Sequence, residues 1–100
     1  MAILDVTEYS RLSADAQGRI IPVGSEPNRT NQQVAVGGTS AQSSAFGDAT
    51  YFVRLHSDVV CRVAFGPNPT AAATTARLAA GASEYFGVTP GDKVAVITST

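Results

Sequence analysis

One hundred residues make one ordinary domain, able to bury roughly 65% of the surface its unfolded chain exposes, so one core is expected and a second has no room. A hydrophobic share of 44% fits a folded globular chain, whereas a charged share of 15% lies well below the ~25% usual for soluble domains. The exterior must be built largely of Ser, Thr, Ala, Gly, Asn and Gln, which offers little charge repulsion against association. With a net charge of -1, Lys93 as the only lysine and the arginines scattered along the chain, the clustered cations of a nucleic-acid binder are missing.

Cys61 is the only cysteine, which excludes an intramolecular disulfide and a cysteine-based metal site. The first residues lack the basic start and apolar run of a signal peptide, and no stretch reaches the ~20 apolar residues that span a bilayer. Synthesis in a cytoplasm and no membrane association are the expectations.

Residues 2–9 alternate loosely and are rich in Ile, Leu, Val and Thr, which favours a strand or an extended arm, so residues 1–17 form a candidate N-terminal arm. Residues 11–17 (RLSADAQ) have the composition for one helical turn, stopped by Gly18. Residues 19–23 (RIIPV) read as a short strand at a sheet edge, because Pro22 has no N–H to give to a ladder. A turn is expected at Glu26-Pro27-Asn28, then a strand over residues 30–36 that Gly37-Gly38 ends. Residues 38–49 are dense in Ser, Gly and Ala and predict a flexible surface loop that Phe46 alone could anchor.

The strongest local pattern is residues 50–65 (TYFVRLHSDVVCRVAF). Tyr51, Val53 and Leu55 share one face and Phe52, Arg54 and His56 the other. After Ser57-Asp58, Val59, Cys61, Val63 and Phe65 share a face. The pattern predicts a β-hairpin, which would make Arg54 and Arg62 neighbours. The break at Gly66-Pro67-Asn68-Pro69 is complete. A loop and a short strand near residues 76–79 follow, then a strand over residues 83–88 with Tyr85 or Phe86 directed inward. Thr89-Pro90-Gly91-Asp92 fits a type II turn. The last strand, residues 93–98 (KVAVIT), is apolar on both faces and so belongs near the middle of a sheet or is covered on both sides.

About seven or eight short strands at this spacing predict an all-β fold. We read it as a small antiparallel β-sandwich with jelly-roll or Greek-key connections, a small β-barrel being the alternative.

The chemistry-bearing residues are sparse. His56 could pair with Asp58 and be imagined beside Ser57 or Cys61, but these residues flank one tight turn, whereas a triad draws its members from separate elements around a cleft. Cys61 reads as a buried, inert thiol. Asp5, Asp15, Asp48, Asp58 and Asp92 never take the spacing of a calcium loop. Strand-end glycines belong to no phosphate loop, and no basic residues interleave the aromatics as a base-stacking platform requires. No catalytic residue, cofactor or metal is predicted.

Through the runs RLHSDVVCRVAFGPNPTA (residues 54–71), ARLAAGASEYFGV (76–88) and PGDKVAVI (90–97), residues 53–97, about half the chain, resemble small structural proteins of tailed bacteriophages and prophages. The resemblance implies a virion component, most naturally a decoration or cement protein on the outside of the capsid shell. Its implied partners are the major capsid protein and further copies of itself, as a homotrimer or other homo-oligomer. The runner-up roles are a head-tail connector or tail adaptor, and a carbohydrate- or receptor-binding sandwich. Interface candidates are Ile3 and Leu4 of the arm, Ile20 and Ile21 of the edge strand, Phe46 of the loop, and Arg54, His56 and Arg62.

Overall fold

Ten strands and no helix make up residues 2–99, the part of the chain that the structure, a computed structural model, describes. They are β1 (Ile3–Tyr9), β2 (Leu12–Ala14), β3 (Ile20–Gly24), β4 (Thr30–Ala35), β5 (Ala41–Gln42), β6 (Phe52–Ser57), β7 (Cys61–Gly66), β8 (Ala76–Leu78), β9 (Ser83–Gly87) and β10 (Lys93–Thr98). One sheet has the order β4-β1-β6-β9 and the other β5-β10-β7-β8, all neighbours antiparallel. The small sheet β2-β3 belongs to neither.

This order is that of a jelly roll. The run β4, β5, β6, β7 pairs in reverse with β8, β9, β10, β1, so one long antiparallel ribbon is wrapped into two facing sheets. The strand that closes the roll, β1, comes first in the chain. The all-β sandwich is therefore borne out, and no closed barrel forms among the described residues.

Between the sheets the alternation of each strand decides what is buried. Leu4 and Val6 of β1, Val34 of β4 and Val53 and Leu55 of β6 meet Cys61 and Val63 of β7, Leu78 of β8 and Val94 and Val96 of β10 in one core. Phe65 and Phe86 close one side with ring centroids 5.1 Å apart. The apolar second face of β10 is explained as well. Gln42 and Ala64 flank Ala95 on the outer face of its sheet, and Gln42 Nε2 donates to Pro69 O at 2.8 Å, which draws the 67–75 loop across a fully buried Ala95.

Three local expectations are corrected. First, β6 and β7 are not a hairpin: they lie in opposite sheets, joined by an arch at residues 58–60. The buried Ser57 hydroxyl turns this corner, donating to Val59 O at 2.6 Å and accepting from Val59 N at 3.3 Å. Alternation places Val53, Leu55, Cys61 and Val63 inward in a hairpin or an arch alike, so it could not choose between them. Arg54 and Arg62 accordingly face solvent on opposite sides of the sandwich.

Second, residues 11–17 form no helical turn. Asp15 instead builds a hairpin turn, its Oδ1 accepting from Gln17 N and Arg19 N, each at 2.9 Å, with Gly18 at φ 82°. Third, the segment expected as an arm supplies β1, an inner strand hydrogen-bonded on both sides. The type II turn at Thr89–Asp92 forms as read, with Gly91 at φ 89° and Asp92 N donating to Thr89 O at 3.1 Å.

Candidate functional site

Two surfaces stand apart from the sandwich body: a projecting hairpin and a polar groove beside its root. The hairpin is β2-β3. Its register slips between Leu12 and Ser13, where Leu12 faces Gly24 and Ser13 faces Ile21, the irregularity of a β-bulge. Among the described residues no third strand joins this two-stranded sheet, so both its outer edges are open.

The hairpin carries exposed aliphatic side chains: Leu12, Ile21 and Val23, and above all Ile20 at 72% exposure. The other exposed large apolar residues are Tyr51, just before β6, and Tyr85 of β9, whose hydroxyl accepts from Gly24 N at the hairpin's root. Apolar surface is thereby concentrated at one end of an elongated molecule of 46 × 26 × 23 Å.

Where the hairpin joins the sandwich, an aromatic cluster fills the gap. Tyr9 and Phe52 are cross-strand partners on the outer face of their sheet and stack with centroids 5.4 Å apart. Tyr85 tilts against both. Gly24 lies directly on the Tyr9 ring, where a Cβ would come within 2.4 Å of ring carbons, and its N–H donates to the Tyr85 hydroxyl at 3.2 Å. Tyr9 Oη donates to Glu26 Oε2 at 2.6 Å. Burial of this hydroxyl, helped by the carboxylate it faces, pushes the Tyr9 pKa up to about 12.

The groove lies on the same outer face, one row farther along the strands. Register lines up the side chains of this face in two rows, Gln33, Asp5, His56 and Ser83, then Asn31, Thr7, Arg54 and Tyr85, the groove lying over the β4, β1 and β6 members. The depression holds about 460 Å³ and is lined by polar groups from β4, β1 and β6. His56 Nδ1 is 2.9 Å from Ser83 Oγ, which leaves Nε2 as its second ring nitrogen. Gln33 Nε2 donates to Asp5 Oδ1 at 3.3 Å.

On the inner side of β1 sits a charged residue that the sequence reading did not single out. Glu8, 1% exposed, accepts from Thr50 Oγ1 at 2.7 Å, Gly47 N at 3.0 Å and Gln32 Nε2 at 2.8 Å. Its signal was present in the sequence: Glu8 falls in phase with the inward Leu4 and Val6. The carboxylate ties down part of the segment expected as a flexible loop. That segment also gives β5 to the edge of β10, buries Phe46 at 3% exposure and holds Val94 N through Ser43 Oγ at 3.1 Å.

The interface candidates divide accordingly. Ile20 and Ile21 stand on the hairpin, Arg54 and His56 on the groove, and Ile3 is half-buried at the start of β1. Arg62 lies across the sandwich, donating to Thr75 O at 3.1 Å and Ser99 Oγ at 3.3 Å. Leu4 and Phe46 drop out, because both are core side chains with 0% and 3% exposure. Cys61 is fully buried, and desolvation pushes its thiol pKa up against a smaller opposing effect of the Ser57 hydroxyl.

Compared with protein-family models, curated proteins and solved structures, the chain gives no significant match to any.

Proposed function

We propose that this protein is a non-enzymatic structural component of a tailed-phage particle, seated as a decoration or cement protein on the outside of the capsid shell, with the β2-β3 hairpin as the element that docks on the shell. The observation that carries the reading is the hairpin itself. A two-stranded sheet is marginal in water, and this one exposes Leu12, Ile20, Ile21 and Val23 rather than burying them in its own core. Such side chains gain their stabilisation, roughly 25 cal/mol per Å² of apolar area covered, on meeting another surface.

The occupant is the major capsid protein, on the strength of the resemblance in residues 54–97 to phage structural proteins. Open strand edges on the hairpin add backbone donors and acceptors for strand addition. A protein that binds only the assembled lattice stabilises it by mass action, which is how a cement protein works. Self-association into trimers or larger rings is part of the same reading and would use the same low-charge exterior.

Copy number in purified particles, by quantitative mass spectrometry, tests the assignment. Hundreds of copies per particle support a shell protein, whereas about six or twelve, the count of a ring at a portal axis, move it to the head-tail junction. Mixing the chain with shells stripped of it and sedimenting them tests the docking element. Wild type should co-sediment and an Ile20→Ser, Val23→Ser double variant should remain in the supernatant; equal retention of both would rule the hairpin out.

A further inference from the structure

We propose that the groove on the outer face of the β4-β1-β6-β9 sheet is a binding site for a neutral, hydroxyl-rich ligand, a glycan segment, recognised by Asp5, Thr7, Asn31, Gln33, Arg54 and His56. The site uses a different face from the hairpin and stands independently of the particle reading.

The geometry is a grid. Asp5 is the register partner of both Gln33 and His56, and Thr7 of both Asn31 and Arg54, so three strands present two straight rows of polar side chains. Directly opposed side chains on one sheet face are about 5 Å apart, and successive rows along a strand lie about 6.6 Å apart. The next row along the strands, Tyr9 and Phe52 beneath Gly24, lies beyond Thr7 and Arg54 on the same sheet face. The groove's volume of about 460 Å³ lies in the range of small-ligand sites, roughly 300–1,000 Å³.

The hydrogen-bonding capacity of the grid is largely unspent. Among the described residues the side chains of Thr7, Asn31 and Arg54 form no hydrogen bond, Asp5 receives one long bond from Gln33, and His56 spends one ring nitrogen on Ser83. Arg54 and Asp5 occupy diagonal positions and form no ion pair with each other, the single described ion pair being Arg19 with Asp15.

Chemistry then selects the ligand class. The groove offers one carboxylate, one guanidinium, two amides, a hydroxyl and an imidazole, which is a mixture of donors and acceptors with one charge of each sign. An anion such as phosphate would meet Arg54 but also Asp5. An apolar ligand would leave all six groups without partners at a desolvation cost. A polyol satisfies both kinds of group, since each hydroxyl both donates and accepts. Asp5 accepts from two adjacent hydroxyls, and Arg54 and Asn31 donate to ring and hydroxyl oxygens.

Amide chemical-shift mapping of the isotope-labelled full chain tests the proposal, titrating maltohexaose, cellohexaose, chitohexaose, dextran and mannan to millimolar concentration. At least one of these glycans should perturb amides of residues 3–9, 30–35 and 52–57 while leaving residues 12–24 unmoved. Arg54→Ala and Asn31→Ala, both at exposed positions that leave the fold alone, should each weaken that binding about tenfold, equal to about 1.4 kcal/mol. Silence of the groove amides with all five probes overturns the inference. So does an equal response to inorganic phosphate, or glycan binding that Arg54→Ala leaves unchanged.

Discussion

The sandwich and the hairpin obey the same alternation rule and end in opposite conditions. In the sandwich, the inward Leu4, Val6, Val53 and Leu55 of β1 and β6 join Cys61, Val63, Val94 and Val96 of β7 and β10 in one core, and Leu4, Leu55 and Val96 reach 0% exposure. In the hairpin, no third layer exists, so Ile20 remains 72% exposed although it is as apolar as any core residue. Apolar pattern therefore specifies which face wants a partner. Whether the partner lies within the chain depends on topology.

The largest effect that would sharpen this contrast belongs to Glu8. Its carboxylate is the common acceptor for Thr50, Gly47 and Gln32, all from segments that no regular ladder ties to β1 at that point except Gln32 of β4. Glu8→Ala removes the acceptor, leaves the buried Thr50 hydroxyl without this partner and opens a void, so urea denaturation should show a loss of roughly 2–4 kcal/mol. Hydrogen exchange should accelerate first across residues 43–50. A loss under about 1 kcal/mol would mean that water replaces the carboxylate and that the sandwich is held by its apolar core alone.

Next comes the junction between the two regions. Gly24→Ala drives a methyl to within 2.4 Å of the Tyr9 ring, and the ring cannot swing aside freely because Phe52 stacks on it at 5.4 Å. Overpacking of this kind costs about 1–3 kcal/mol. Exchange should rise at hairpin amides, with β6 and β10 unchanged. Were the whole chain to loosen equally, the hairpin would be part of the sandwich's cooperative unit and the contrast would fail.

Alkaline titration probes the same junction more gently. Tyr9 has its pKa raised from 10.0 to about 12 in the folded chain. The folded state thus favours the neutral phenol, and the resulting stabilisation is complete below pH 10.0 and disappears as pH climbs through about 12. Stability measured by urea unfolding should fall across that window, and the fall should be smaller in Tyr9→Phe. Phenolate absorbance near an ordinary tyrosine pKa for all three tyrosines would contradict it.

How much of this was legible in the sequence follows from what each signal encodes. Alternation in residues 52–57 and 61–66 correctly assigned Val53, Leu55, Cys61 and Val63 to one interior, because side-chain period is a local property. It could not distinguish hairpin from arch, because that choice lies in the Ser57 to Val59 hydrogen bonds and in the competing partners β9 and β10. Pro90-Gly91 announced its turn, because proline presets one backbone angle and glycine alone enters the positive-φ region freely. Phe46 was visible as an anchor, but its depth in the core was not. The groove was invisible, since Asp5, Asn31 and Arg54 are far apart in sequence and only register sets them side by side.

The smallest expected effect, and the one that most directly separates the regions, is Ile20→Ser. A core aliphatic cut back to a small side chain costs roughly 2–5 kcal/mol. At 72% exposure little water is displaced by Ile20 in the free chain, so the change in unfolding free energy should remain within about 0.5 kcal/mol. Its consequence should appear instead in association, as a lower tendency of the purified chain to self-associate in analytical ultracentrifugation. If Ile20→Ser destabilised the isolated chain by the amount seen for a core residue, the hairpin would already be packed against the body in solution, and its aliphatic face would be unavailable to any partner.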